Sequence, residues 1–390
     1  MKKICMVCQS YYLRDPRVRR EAEALADSGF MVDVITLRDK GEKRRETVSG
    51  VNIYRLPIMR KRGGIVRYLF EYLFFFLFSS VFLTFLFIRK RYKLIQVHTM
   101  PDFLIFCSLI PKIFRAKAIL DVHEPMPELF MSKYGLKKSN FFIKILRFQE
   151  KVSLAFSNHI ITIHQPLKNL FVKRNNIDKK KISVVLNIPD TKIFDTAGKK
   201  DIAARDKDFI LIYTGTIAER YGLDTAVRGI SYLKYKIPGL KLMIIGEGEH
   251  LSYLKELVLN LKLGEYVEFH DPVPIDRIPG FINKADLGIS THKKDSFWDL
   301  YFSTKIVEFL ISGLPVVSSK TKTIKYYFSE DNLFYFTPER EKEFAEKVLL
   351  AYRKPALAKK KVENARKNIS ENMSWDKEKI KYTELIESLI

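Results

Sequence analysis

Three cysteines among 390 residues leave no material for a disulfide framework, which fits a reducing compartment. Cys5 and Cys8 form a C-x-x-C pair, but no second pair exists and the pair lies in an apolar run that reads as a β-strand. Residues three apart on a strand point to opposite faces, so the spacing argues for core cysteines and against a zinc or redox pair. Acidic residues are scarce: 45 Asp and Glu face 68 Lys and Arg, a net charge of +23. Such an excess fits nucleic acid, an anionic membrane face or phosphorylated substrates. The basic residues are spread over clusters at 60–67, 89–93, 168–181 and 359–367. No zinc-finger, RRM or basic-zipper pattern accompanies them, so nucleic acid is not the expected partner. No signal peptide is expected, because the apolar run after Lys2-Lys3 soon meets Arg14-Asp15.

Long apolar runs are also rare. The one that stands out, Tyr72 to Ile88, is interrupted only by Ser79, Ser80 and Thr84 and sits at the short limit for a membrane span. Basic residues flank both ends, so it carries no inside–outside asymmetry. A span would also split what reads as one β/α domain. A buried helix remains open, and so does a helix resting on the membrane surface with its basic flanks on anionic lipid.

An apolar content of 47% and a charged content of 29% are those of a globular protein, and the length predicts two domains. Apolar strands are expected at Lys3 to Gln9, Met31 to Leu37, Val51 to Leu56, Leu94 to His98, Ala118 to Val122, Ile160 to Ile163 and Ile182 to Leu186, with helices between. Asn187-Ile188-Pro189-Asp190 breaks the pattern, and a charged stretch to Asp208 reads as a linker. The pattern restarts with Phe209 to Tyr213, Leu242 to Ile245, Val267 to Phe269, Leu287 to Ser290, Val316 to Ser318 and Leu333 to Phe336. Alternating strands and helices mean parallel doubly wound sheets, whose ligands bind at the carboxyl ends of the strands.

The stretch Phe302-Ser303-Thr304-Lys305-Ile306-Val307-Glu308 carries chemistry. Ser303 and Thr304 can start a helix, and Lys305 and Glu308 then share one face. Gly313 ends the helix, Pro315 follows, and Val316-Val317 reads as a buried strand. A helix N-terminus with a fixed cation can hold a phosphate. A carboxylate one turn further in can take the two vicinal hydroxyls of a ribose. The rival is an ordinary solvated ion pair. Upstream, Tyr213-Thr214-Gly215-Thr216, followed by Arg220-Tyr221-Gly222, is a strand, a glycine turn and a helix start, the way a backbone approaches a diphosphate. An ordinary β–α turn with a surface arginine reads the same way. Gly246-Glu247-Gly248-Glu249 makes a similar turn. In the first half, Asp121-Val122-His123-Glu124 ends a strand with an ionisable cluster, as Val97-His98 ends another.

These motifs, in this order, resemble glycosyltransferase family 4, retaining enzymes of the GT-B fold, over essentially the whole chain. The resemblance implies two Rossmann-like domains facing a cleft: an acceptor domain at 1–188, a linker at 189–208, a nucleotide-sugar domain at 209–372, and a helix at 373–390 returning to the first domain after Ser374-Trp375. It implies transfer of a sugar from a nucleoside-diphosphate donor, a UDP-sugar favoured, to a lipid-linked or saccharide acceptor in polysaccharide assembly at the cytoplasmic membrane face, with no metal or other cofactor. His123, Arg220 and Lys305 are the implied catalytic residues. The implied donor contacts are Gly215, Thr216, Tyr221, Gly246, Glu247, Ser303, Thr304 and Glu308, and the implied acceptor contacts are Asp15, Arg17 and Glu124. A capping role for Asp15 and a structural role for His123 stay open. The family often carries an arginine at position 216 and a lysine at 221, where this chain has Thr216 and Tyr221. Leu300 replaces the first of the family's paired glutamates, and Asp295 or Asp299 are candidate substitutes. Another GT-B enzyme, such as an epimerase or phosphorylase, and a non-catalytic binding relative are the alternatives.

Overall fold

The computed structural model describes residues 2–60, 65–189, 191–194 and 208–390, so the expected linker at 189–208 lies largely outside the described residues. Two compact units form: Met1–Asn187 together with Asp376–Ile390, and Ile188–Trp375.

In the first unit, eight strands run in the order β3-β4-β2-β1-β5-β6-β7-β8. They are β1 (Lys3–Cys8), β2 (Met31–Leu37), β3 (Arg45–Val48), β4 (Val51–Leu56), β5 (Leu94–His98), β6 (Lys117–Val122), β7 (His159–Thr162) and β8 (Ile182–Val184). All pairings are parallel except β3 with β4. The sequence reading missed β3. Its signal is the Ser49-Gly50 pair, whose positive φ angles of 48° and 77° close a two-residue hairpin. The other strands are near-continuous apolar runs because helices cover both sheet faces. Cys5, Cys8 and Cys107 are buried thiols, and burial pushes Cys8 up to about 12.

The second unit has six parallel strands in the order β11-β10-β9-β12-β13-β14. These are β9 (Phe209–Thr214), β10 (Leu240–Ile245), β11 (Val267–His270), β12 (Leu287–Ser290), β13 (Val316–Ser319) and β14 (Phe334–Phe336). In each sheet the chain starts near the middle and works outward to either side, so the ends of neighbouring central strands gather their loops at one edge.

The run from Tyr72 to Ile88 lies in one helix, Ile65–Lys90. Tyr72, Phe75, Ser79, Leu83 and Leu86 form its buried stripe, and Phe75, Leu83 and Leu86 join the core over β1, β2 and β5. Each large apolar side chain buried there contributes roughly 1.5–3 kcal/mol. The last helix, Trp375–Leu389, packs on the N-terminal unit. Leu186 N donates to Glu378 Oε2 at 2.8 Å, and the Tyr382 hydroxyl donates to Gln96 Oε1 at 2.7 Å. Gln96 Nε2 in turn donates to Glu21 Oε2 at 2.7 Å, all inside the core. Gln96→Leu leaves Glu21 with only its Arg17 partner and takes away the acceptor of the Tyr382 hydroxyl. We expect a loss of about 2–3 kcal/mol, read as a lower melting temperature; unchanged melting would show that this network is not what docks the last helix.

Candidate functional site

At the carboxyl end of β6, Asp121 sits fully buried under three partners. Arg17 Nε and Nη2 donate to its two oxygens at 3.0 and 2.9 Å. His98 Nδ1 and His123 Nε2 both lie 3.0 Å from Oδ2, and 3.4 Å from one another. Burial opposes the Asp121 charge, but Arg17 and then His123 hold the carboxyl well below the usual range. Burial likewise opposes an imidazolium at His123, and the Asp121 carboxylate outweighs it, so His123 titrates above its ordinary value. A cavity of about 190 Å³ opens over this cluster, lined in part by Gln9, Asp15, Arg60, His98, His123 and Glu124.

Arg17, expected to meet the acceptor, is corrected by this geometry. Its guanidinium is buried and engaged by Asp121, Glu21 and the Val185 carbonyl, so it positions Asp121. Asp15 caps the Pro16–Asp27 helix by accepting from Val18 N at 3.2 Å, and it also lines the cavity. The capping role read for it from the sequence is therefore present. His98, Asp121 and His123 offer ligand atoms within 4.8 Å of one another and could hold a metal ion. The Arg17 clamp already neutralises the one carboxylate of that set, which disfavours a second cation there.

In the C-terminal unit, two glycine turns lock together at the ends of β9 and β10. Gly215 N donates to Ile245 O at 2.9 Å and Ile217 N to Glu247 O at 2.8 Å. A Cβ on Gly246 would lie 1.9 Å from the Gly215 carbonyl, and one on Gly248 would lie 2.1 Å from that of Ile217. The Gly-x-Gly spacing is therefore set by backbone crossing backbone. Arg220 is half-buried beside these turns, its Nη1 3.5 Å from Glu249.

Lys305 opens the Thr304–Ile311 helix, with Ser303 at its N-cap. Its ammonium is buried over two rings, 4.3 Å from the Tyr213 centroid and 4.9 Å from that of Tyr221. Nζ lies 3.3 Å from where a Gly215 Cβ would stand. This cation thus arrives from another element at the turn where Thr216 and Tyr221 replace the family's arginine and lysine. Burial lowers Lys305 to about 8, with Glu308 opposing, and raises Glu308 to about 7, with Lys305 opposing.

The sequence reading missed the aromatic support beneath this cation. His292 stacks on Trp298 with centroids 4.6 Å apart, Trp298 meets Tyr221 at 4.9 Å, and Tyr301 meets Trp298 at 4.6 Å. Burial first, then Lys305, keeps His292 neutral. His292 Nε2, Trp298 Nε1 and Ser303 Oγ are buried without a hydrogen-bond partner. A buried donor left unpaired costs about 1–3 kcal/mol. The one available signal was compositional: Trp298 is one of only two tryptophans. Asp295 and Asp299 do not stand in for Leu300. Asp295 Oδ1 accepts from Phe297 N and Trp298 N, each at 2.8 Å, and Asp299 pairs with Lys322 at 3.1 Å. Thr216 and Glu247 are exposed on the two turns, and Thr304 is half-buried at the helix start.

The electrostatics of the β6 end give a direct test. Asp121→Asn removes the main opposition to burial at His123 and leaves only Asp15 on that side, so its imidazole should titrate below the wild-type value in an NMR pH series. An unchanged titration would mean that Asp121 does not set the charge of His123.

Residues 15–187 match the family described as Glycosyl transferase 4-like domain, and residues 195–368 match Glycosyl transferases group 1. One subunit of the human phosphatidylinositol N-acetylglucosaminyltransferase is 23% identical over 341 residues, 86% of this chain and 65% of that protein. The Candida albicans chitobiosyldiphosphodolichol beta-mannosyltransferase is 24% identical over 241 residues, 58% of this chain and 52% of that protein. The matched region thus spans between about half and two thirds of these relatives' length. Among solved structures, sucrose-phosphate synthase from Thermosynechococcus elongatus superposes with a TM-score of 0.78 at 16% identity, covering 100% of this chain and 99% of that one. The catalytic domain of starch synthase IV from Arabidopsis thaliana, bound to ADP and acarbose, gives 0.72 at 14% identity over 100% and 99%. The paired strand-end sites, the two matched families and the shared fold place the chain among the glycosyl transferases, with the GT-B fold.

Proposed function

We propose that this protein transfers a glycosyl group from a nucleoside-diphosphate sugar to a hydroxyl of a lipid-linked or saccharide acceptor. The observation that carries the reading is the buried Lys305 ammonium. It stands against the Gly215 turn, held by rings, with the unpaired donors of Ser303, Trp298 and His292 in its surroundings. A buried cation held without close carboxylate contact is stabilised when an anion arrives. A diphosphate leaving group supplies that anion, and its charge grows as the glycosidic bond breaks, so Lys305 stabilises the transition state more than the ground state. The start of the Thr304–Ile311 helix adds its dipole. Glu308, on the same helix face, is placed to accept from ribose hydroxyls, and Arg220 flanks the turn.

A UDP-sugar is the donor we favour, with retention at the anomeric carbon, no metal, and the departing phosphate taking the acceptor proton. His123, whose imidazolium form the Asp121 carboxylate favours, would meet negative charge near the reacting centre, and Glu124 and Asp15 would meet the acceptor. A lipid-linked acceptor is supported by the lipids in both relatives' names, phosphatidylinositol and a diphosphodolichol. Polysaccharide assembly at the inner membrane face is the role this acceptor suggests.

Two outcomes are expected. Lys305→Met should weaken binding of the nucleotide sugar by about 1–3 kcal/mol, roughly fivefold to over a hundredfold, in calorimetry against UDP, GDP, ADP and CMP donors. Equal affinity in the variant would remove the phosphate role. Wild-type affinity should also peak between pH 7 and 8. Attraction is lost as Lys305 deprotonates above about 8, and ribose contacts weaken as Glu308 protonates below about 7. A flat profile across that window would count against both assignments.

A further inference from the structure

The Ile65–Lys90 helix is apolar on two opposite faces. One is the stripe buried in the core. The other, Phe70, Phe74, Phe78, Val81, Phe85 and Ile88, recurs at the same helical spacing and is exposed, Val81 to 73%. A globular protein rarely leaves such a continuous patch open without a partner. The patch does not stop at this helix. Phe76 meets Phe103 at 5.7 Å and Phe87 meets Phe114 at 6.2 Å, so the 102–114 segment lies alongside. Phe106 meets Phe156 at 5.0 Å, which brings in the Phe141–Phe156 helix. Both neighbours expose apolar side chains: Ile110, Ile113 and Phe114 on one, and Phe141, Ile145, Phe148 and Val152 on the other. Phe141 and Phe148 are 77% and 70% exposed, on a helix that buries Ile143 and Leu146 on its other side.

Charge decides the occupant. Between residues 65 and 156, no carboxylate is exposed among the described residues, because Glu71, Asp102, Asp121, Glu124, Glu128 and Glu150 are buried or half-buried. The exposed charges there are all basic, among them Arg67, Arg89, Arg91, Arg115, Lys144 and Lys151. An apolar surface whose own segments expose only cations is complementary to a hydrocarbon layer beneath anionic headgroups. A second copy of the same surface would set like charges against like, so self-association fits poorly. Spanning fits poorly too. The stretch Leu69–Lys90 is long and apolar enough to cross a membrane, but crossing would pull Phe75, Leu83, Leu86 and Phe87 out of the core that they share with the sheet. Between β4 and the 65–90 helix, a cavity of about 600 Å³ with Arg44, Arg45, Tyr54, Phe78 and Phe85 in its walls offers an apolar slot with cations beside it.

We propose that the N-terminal unit docks on an anionic phospholipid bilayer through these three side-by-side segments, lying in the interface without crossing it. This deepens the membrane location given above. It rests on the apolar surface alone, so the transfer reaction can stand if it fails. The test is flotation of the full chain with vesicles of phosphatidylcholine alone or mixed with phosphatidylglycerol. Binding to the mixed vesicles, weakened by salt, is expected. The double substitution Phe141→Ser and Phe148→Ser, on exposed positions outside the core, should cut binding about tenfold while leaving melting temperature and nucleotide affinity unchanged. Lys144→Glu with Lys151→Glu should abolish the preference for the anionic vesicles. Failure of the wild type to float, binding unaffected by the Phe141 and Phe148 changes, retention after alkaline carbonate extraction (a span), or a dimer that these changes dissociate would each overturn the proposal.

Discussion

Parallel pairing is the constraint on which the rest of this structure depends. A parallel strand must return to its starting end, so helices cover both faces and every strand delivers its loop to the same edge. Thirteen of the fourteen strands obey this, with β3 alone running antiparallel. The ionisable and glycine-rich residues accordingly collect at carboxyl ends: His98 after β5, His123 after β6, Gly215 after β9, Gly246 after β10 and His292 after β12. Such edges supply unpaired backbone N–H groups and helix dipoles, the equipment for holding anions.

The two units use that edge differently. In the first, charge is balanced internally: Asp121 is clamped by Arg17 and shared between two imidazoles, so the carboxylate and the His123 imidazolium each favour the other's charged form. In the second, charge is left unbalanced. Lys305 rests on tyrosine rings, and its partner on the helix, Glu308, is pushed toward neutrality by the same burial. Cation–π contact over two rings contributes about 1–2 kcal/mol when desolvated, enough to hold the ammonium in place but less than a carboxylate would give. The site is thereby poised to gain most from a bound phosphate.

Strand positions and the 65–90 helix were legible in the sequence because apolar runs and their punctuation report burial directly, whereas the returning last helix was expected only from the family resemblance. β3 was not, because an edge strand of Arg45, Glu46 and Thr47 has no apolar run to read. The site was legible at Lys305, Glu308 and His123, where motif order restricts the choices. It was illegible where function depends on who fills whom. Arg17 looks like a free cation in sequence and proves to be the clamp of a carboxylate 104 positions away. Asp295 looks available and caps the turn that follows it, and Asp299 looks available and pairs with Lys322. The Gly-x-Gly after β10 looks like a nucleotide contact and proves to be required first by a crossing backbone.

The central claim is that Lys305 receives the donor's diphosphate at the Gly215 turn. A crystal structure of the chain with UDP tests it most directly. The account predicts the β-phosphate within hydrogen-bond distance of Lys305 Nζ, with Glu308 on the ribose hydroxyls. A nucleotide bound elsewhere, or Lys305 turned away to a carboxylate of the protein, would contradict it.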